Sequence, residues 1–166
     1  YAGLHNWRLV LAGPNEAGHR EELETLVQKL KLTSTINFEG EVAGSKKWAL
    51  LRMADIFVLP SRSENFGISV AEALGCGIPV ITTKGTPWED VVAHRCGWWV
   101  DDSVESLKDT LCVAAGLSDA ERVEMGQRGR IYAEKTLSWI QIAAQMKAVY
   151  EWVLSGGERP SCVSLE

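Results

Sequence analysis

Two glutamates, Glu64 and Glu72, are separated by seven residues that include Phe66-Gly67, and Gly75-Cys76-Gly77-Ile78-Pro79-Val80 follows the second. A carboxylate offers two acceptor oxygens. Glu72, on the second turn of a helix opening at about Gly67, can therefore take hydrogen bonds from two vicinal hydroxyls such as those of a ribose. The free amides at that helix start can bind a phosphate, and Gly67, lacking a Cβ, lets an anion come close. Magnitude limits this grip: a helix terminus contributes about 0.3–1 kcal/mol, up to about 2 when sheltered, whereas millimolar binding needs about 4. The dipole cannot hold a diphosphate alone. Arg62 and Lys84 are the basic candidates near the site, Arg8 lying inside a strand.

The elements that must hold these residues follow from hydrophobic spacing. Trp7-Arg8-Leu9-Val10-Leu11-Ala12 is a short apolar run stopped by Gly13-Pro14-Asn15, which predicts a buried strand entering a turn. Leu23, Leu26, Val27 and Leu30 then mark one face of an amphipathic helix. The pattern returns three times. Ile36-Asn37-Phe38 precedes a helix with Trp48, Leu51 and Met53; Ile56-Phe57-Val58-Leu59 precedes Gly67 to Gly75; Pro79-Val80-Ile81-Thr82 precedes Pro87 to His94. Trp98-Trp99-Val100 supplies a last strand. The expected class is α/β, a Rossmann-like parallel sheet of about five strands sandwiched by helices, with extra C-terminal helices.

In such a sheet, ligands sit beyond the carboxyl ends of the strands. The loops at Gly13-Pro14-Asn15-Glu16, Glu39-Gly40-Glu41-Val42 and Pro60 to Phe66 leave strands at that edge. Farther on, Asp102-x-x-Glu105 and Ser118-x-x-Glu121 predict capping boxes for helices running to about Ala115 and Lys135. Gly126 and Gly129 weaken the second helix by about 1 kcal/mol each relative to alanine. A last helix, about Ser138 to Leu154, carries Ile142, Met146, Val149, Tyr150 and Val153 on one face, and Ser155-Gly156-Gly157 stops it.

Composition narrows the function classes. The 166 residues are one domain by length, with 46% hydrophobic and 23% charged residues and no apolar run near the ~20 residues that span a bilayer. A formal net charge of −5, scattered along the chain, argues against nucleic acid as a partner. Cys76, Cys96, Cys112 and Cys162 lack C-x-x-C spacing, and His5, His19 and His94 share no metal-ligand spacing, so no metal site is expected. Gly75-Cys76-Gly77 follows a helix and precedes a strand, the reverse of a dinucleotide fingerprint, and is a helix stop.

The stretch Leu59 to Thr82 resembles the Glu-x7-Glu donor site of retaining glycosyltransferases of family 4 (group 1), enzymes with the two-domain GT-B fold. Pro60-Ser61 ending an apolar strand, Phe66-Gly67, Ala71-Glu72-Ala73-Leu74 and Gly77-Ile78-Pro79-Val80-Ile81 sit in register with that pattern. The likeness runs from residue 7 to about 154 and is sharply diagnostic only over 59 to 82. One departure is Trp88, intercalated before Glu89 where many members have Gly-Gly-x-Pro-Glu-x-Val, which puts the role of Glu89 in doubt. Trp88, Trp98 and Trp99 are expected to pack rather than stack on sugar.

The resemblance implies a C-terminal, nucleotide-sugar-binding domain over residues 1–154, missing its first βα unit, with 155–166 a tail partly left by cloning. Tyr1-Ala2-Gly3-Leu4 reads as the tail of a helix and Leu165-Glu166 as a cloning dipeptide. The implied reaction transfers a sugar from a nucleotide diphosphate donor, UDP or GDP type, to an acceptor with retention, without metal or cofactor. Glu64 is then the catalytic candidate, nearest the transferred sugar, and Glu72 binds the ribose. Asn65, Phe66, Gly67 and Ile68 lie against sugar and phosphate, and Arg62 against phosphate. The base rests on the Gly40 to Val42 loop, with Gly13 and Pro14 at the same edge. An arginine and a lysine in the family's Gly-Arg and Lys-Gly segment lie just upstream of the region covered here.

Implied partners are the donor and an N-terminal acceptor domain missing from this chain. The location is cytoplasmic, at the inner face of the membrane for the full-length protein. The last helix would cross back to the N-terminal domain, leaving its apolar face sticky in this chain. Two alternatives stand beside this reading, a non-catalytic nucleotide-binding module and a GT-B sugar-nucleotide epimerase.

Overall fold

The computed structural model describes residues 6–164; the expected helix tail at Tyr1 to Leu4, His5 and the closing Leu165-Glu166 lie outside the described residues. Strands and helices alternate: β1 (Leu9–Ala12), α1 (His19–Lys29), β2 (Ile36–Gly40), α2 (Gly44–Met53), β3 (Phe57–Leu59), α3 (Ile68–Gly75), β4 (Val80–Thr83), α4 (Asp90–Ala93) and β5 (Gly97–Val100). Three helices close the chain, α5 (Val104–Gly116), α6 (Asp119–Thr136) and α7 (Trp139–Ser155). This is the expected Rossmann-like α/β class with additional C-terminal helices.

The strands form two parallel ladders. β1 pairs with β2, Leu9 opposite Ile36 and Leu11 opposite Phe38, with a register slip at Leu11/Ala12. β4 lies between β3 and β5, with Phe57 opposite Val80 and Val80 opposite Gly97. Among the described residues no ladder joins β1 to β3.

The core sits on the second ladder. Every residue of β4 is buried, and Val70, Ala73 and Leu74 of α3, Val91 of α4 and Cys96 are fully covered around it. A Val or Leu buried this completely contributes about 1.5–3 kcal/mol relative to an exposed one. β1 is different. Its sequence predicts a buried strand, yet Leu9 is 45% and Val10 43% exposed, and Leu26 of α1 and its C-cap Leu30 are exposed as well. That expectation fails because, among the described residues, β1 is laddered to β2 alone.

Gly126 and Gly129 weaken α6 as a helix but allow it to lie against α3. A Cβ on Gly126 would overlap the Gly77 carbonyl, and one on Gly129 would meet Leu74 Cδ2 at 2.8 Å. α3 stops as expected: Gly77 takes a φ of 77°, and the amides of Gly77 and Ile78 return to the carbonyls of Leu74 and Ala73. The Ser118/Glu121 capping box forms in full. The expected Asp102/Glu105 box does not; Ser103 caps α5 instead, its hydroxyl accepting from the Ser106 amide, because Ser103 holds the extended N-cap conformation. Tyr132 of α6 donates to Asp90 at 3.2 Å and stacks on His94 at 4.3 Å, fastening α4. α7 buries none of its residues among those described. No helix among the described residues is long and apolar enough to cross a membrane.

Candidate functional site

The site is built on the loop from Pro60 to Gly67 that leaves β3 and turns into α3. Three hydrogen bonds fasten this loop to the end of β4 and the segment after it. The Thr83 hydroxyl donates to the Ser61 carbonyl, the Glu64 amide to the Gly85 carbonyl at 3.0 Å, and the Trp88 indole to the Phe66 carbonyl. Trp88 is buried, and its ring lies 5.2 Å from that of Phe66. Gly85 backs the same loop, since a Cβ there would overlap the Arg62 carbonyl. Trp88, the residue that breaks the sequence pattern, thus holds the loop in place from beneath. Trp99 adds a bond to the Thr86 carbonyl at 3.0 Å.

Gly67 caps α3 at φ 73° and ψ 60°, and no side chain among the described residues satisfies the helix start. The left-handed conformation favours glycine, and the missing Cβ would point at Trp88 Nε1, 3.1 Å away. Backbone conformation and packing therefore both require a glycine at position 67. The Val70 amide returns to Gly67, while the amides of Ile68 and Ser69 precede the first intrahelical acceptors and point out of the helix end.

Val70, Ala73 and Leu74 form the buried stripe of α3. Glu72 lies off that stripe, on the face it shares with Ile68 and Ser69 at i−4 and i−3. Its carboxylate accepts from the Lys47 ammonium at 2.5 Å, with the two side chains 32% and 18% exposed for Lys47 and Glu72. Lys47 was missed by sequence reasoning. It lies 25 positions away on α2, and no local spacing connects the two; the available signal was a basic residue one turn into the helix after the Gly40–Val42 loop.

The other sequence candidates divide into two groups. Glu64 is half-buried on the fastened loop beside exposed Asn65, Phe66 and Ile68. Arg62 is on the same loop but 92% exposed, its Nε 3.5 Å from Asp102, and Lys84 pairs with Asp101 at 2.8 Å. Gly13, Pro14 and Gly40 line a separate cavity of about 380 Å³ at the carboxyl end of β1, with Leu11, Phe38 and Arg20. Val42 lies in the connection between β2 and α2 and does not line that cavity. Glu64, Phe66, Gly67 and Glu72 do not line that cavity.

The family model described as "Glycosyl transferases group 1" matches residues 2–131. An uncharacterized glycosyltransferase of Methanocaldococcus jannaschii is 35% identical over 152 residues, covering 89% of this chain and 37% of that protein. A sucrose-phosphate synthase from Thermosynechococcus elongatus superposes with a TM-score of 0.76 at 25% identity, over 90% of this chain and 39% of that one. HepE of Anabaena in complex with UDP-glucose gives a TM-score of 0.74 at 19% identity, over 87% of this chain and 40% of that one, a likeness of fold. The chain spans about two fifths of the length of these proteins.

Proposed function

The chain belongs to the group 1 glycosyl transferases and has the α/β fold of GT-B enzymes, and on that premise we propose that it is the donor-binding half of a retaining enzyme of family 4. Its substrate is a nucleotide diphosphate sugar of the UDP or GDP type. The observation that carries this reading is the placement of Glu72, part-buried and paired with Lys47, one turn below the uncapped amides of Ile68 and Ser69 on α3. A carboxylate there takes the two ribose hydroxyls, while the amides take the adjoining phosphate.

Each residue then has a chemical task. The helix-end amides stabilise charge that grows on the departing diphosphate, and fixed donors of this kind often supply more of the rate enhancement than any other single effect. Glu64 and the amides of Asn65 and Phe66 lie against the sugar, on a loop that the Trp88 and Gly85 contacts keep from moving. Lys47 holds the Glu72 carboxylate ready. The base rests on the Gly40 to Val42 turn. The acceptor binds a second domain outside this chain, in keeping with the share of the relatives that the chain spans. Four free thiols, Cys76, Cys96, Cys112 and Cys162, favour a reducing, cytoplasmic location.

The test is to incubate the full-length protein with a panel of UDP- and GDP-sugars and candidate acceptors, and to read the anomeric configuration of the product by NMR. Transfer with retained configuration is expected. An inverted product contradicts the retaining mechanism, and a donor returned only as its epimer would assign the protein to a different reaction class.

A further inference from the structure

β4 is buried along its whole length, yet it ends in two threonines, Thr82 and Thr83, and Thr86 just beyond it is buried as well. Packing alone does not require them. Valine has nearly the same shape, and a buried hydroxyl is unfavourable unless it is hydrogen-bonded. All three hydroxyls are bonded, and their partners lead toward the β3–α3 loop. Thr86 donates to the Thr83 carbonyl at 2.8 Å, and its oxygen lies 3.0 Å from that of Thr82, which reaches the Leu59 carbonyl at 3.2 Å. Thr83 donates to the Ser61 carbonyl. A hydroxyl carries one hydrogen, and that of Thr83 goes to the loop.

Thr83 is itself held from behind. The Thr86 amide returns to the Thr83 carbonyl at 3.0 Å, closing a turn over residues 83–86, and the Trp99 indole of β5 donates to the Thr86 carbonyl at 3.0 Å. The turn grips the loop a second time through the Gly85 carbonyl, which accepts from the Glu64 amide at 3.0 Å. Ser61 and Glu64 are thus both tied to one turn, and between the ties Gly85 leaves no room for a Cβ against the Arg62 carbonyl. A path of hydrogen bonds therefore runs from Trp99 through Thr86 and Thr83 to Ser61, at the base of the loop that carries Glu64.

The two glutamates differ in what holds them. Glu72 is paired directly with Lys47, whereas among the described residues the Glu64 carboxylate has no hydrogen-bond or ion-pair partner. Its aim is therefore set by its main chain. On the donor reading above, in which Glu64 lies against the sugar and Glu72 against the ribose, we propose that Thr83 is a positioning residue for Glu64. It acts with Thr86 and Trp99 through the Ser61 carbonyl, and this path governs turnover, while nucleotide affinity depends on Glu72. Misplacing a reacting group by about 1 Å can cost about 100-fold in rate. Glu72 is insulated from such a shift, because α3 is anchored in the core by Val70, Ala73 and Leu74.

The experiment compares, in the full-length protein, Thr83→Val, which keeps the shape and removes the hydroxyl, with Thr83→Ser, which keeps the hydroxyl. Turnover with the sugar nucleotide that supports transfer is expected to fall about 10- to 100-fold in Thr83→Val and to recover in Thr83→Ser, with affinities for UDP and GDP within about twofold of the natural protein. Without nucleotide, the Glu64 amide is expected to exchange about 10-fold faster in Thr83→Val and at the natural rate in Thr83→Ser, the amides of α3 staying unchanged in both. Trp99→Phe removes the indole donor at the far end of the path and is expected to move turnover and exchange in the same direction, so it decides the matter if Thr83→Val fails to fold. Equal losses of turnover and affinity, natural turnover in Thr83→Val, or a Glu64 amide that exchanges at the natural rate in that variant each overturn the proposal. A natural protein that binds neither nucleotide removes the donor reading instead, and the exchange comparison then still decides whether Thr83 positions Glu64.

Discussion

The Trp88 indole Nε1 donates to the main-chain carbonyl of Phe66, and the two rings lie 5.2 Å apart at a tilt of 53°. A buried side chain from the β4–α4 connection thereby fixes the last turn of the loop before α3. Trp88→Phe keeps the aromatic body and removes the donor. It should cost about 2 kcal/mol, lowering Tm by about 4–8 °C, and should speed exchange of the Gly67 and Ile68 amides. Calorimetry and hydrogen exchange measure the two effects; an unchanged loop would leave Trp88 as core filling only.

Glu72 is assigned to the ribose, and this makes a chemical prediction. Glu72→Ala should weaken nucleoside diphosphate binding about 10- to 100-fold, the worth of hydrogen bonds to a charged acceptor. A 2′-deoxy nucleotide should bind the natural chain more weakly than its ribose counterpart, and the two should bind Glu72→Ala equally. Isothermal titration resolves the four affinities. A preference for the ribose form that survives in the variant would remove Glu72 from the diol.

Gly126 and Gly75 give a matched pair for packing. A Cβ at Gly126 runs into the Gly77 carbonyl, whereas one at Gly75 meets nothing within 4 Å. Gly126→Ala should destabilise by about 3 kcal/mol, because two helices must part, and Gly75→Ala should stay within about 0.5 kcal/mol. Chemical denaturation of both variants is sufficient to see the difference.

Alkaline stability should depend on Cys96. Burial raises its thiol from 9.0 to about 11. The unfolded chain therefore releases a proton near pH 9 that the folded chain retains, and stability falls as pH rises from about 9, levelling above about 11. Across that window the thiol contributes a loss of up to about 1.4 kcal/mol per pH unit. Cys96→Ala should flatten the slope of unfolding free energy against pH between 9 and 11, measured by denaturant titration; an identical slope would show that the thiol titrates normally.

Much of the fold is legible in the chain because it is written locally. The α3 start, its stop at Gly75-Cys76-Gly77 and the Ser118/Glu121 box each depend on residues a few positions apart, and all three form. The Lys47–Glu72 pair and the Trp88–Phe66 bond join residues 25 and 22 positions apart, which spacing rules do not reach. β1 misleads in another way: its apolar composition predicts burial, yet among the described residues it is laddered on one side only and stays half exposed. Gly67 is needed where the sequence places it, and φ and the Trp88 contact add a requirement for glycine that local spacing does not show.

The placement of the donor on the α3 edge is tested most directly by titrating UDP and GDP, up to millimolar concentration, into the isotope-labelled chain and following its amide resonances. The account predicts that at least one of the two moves Phe66 through Ala71 together with Lys47. Shifts confined to the cavity around Leu11, Gly13 and Arg20, or none with either nucleotide, would contradict it.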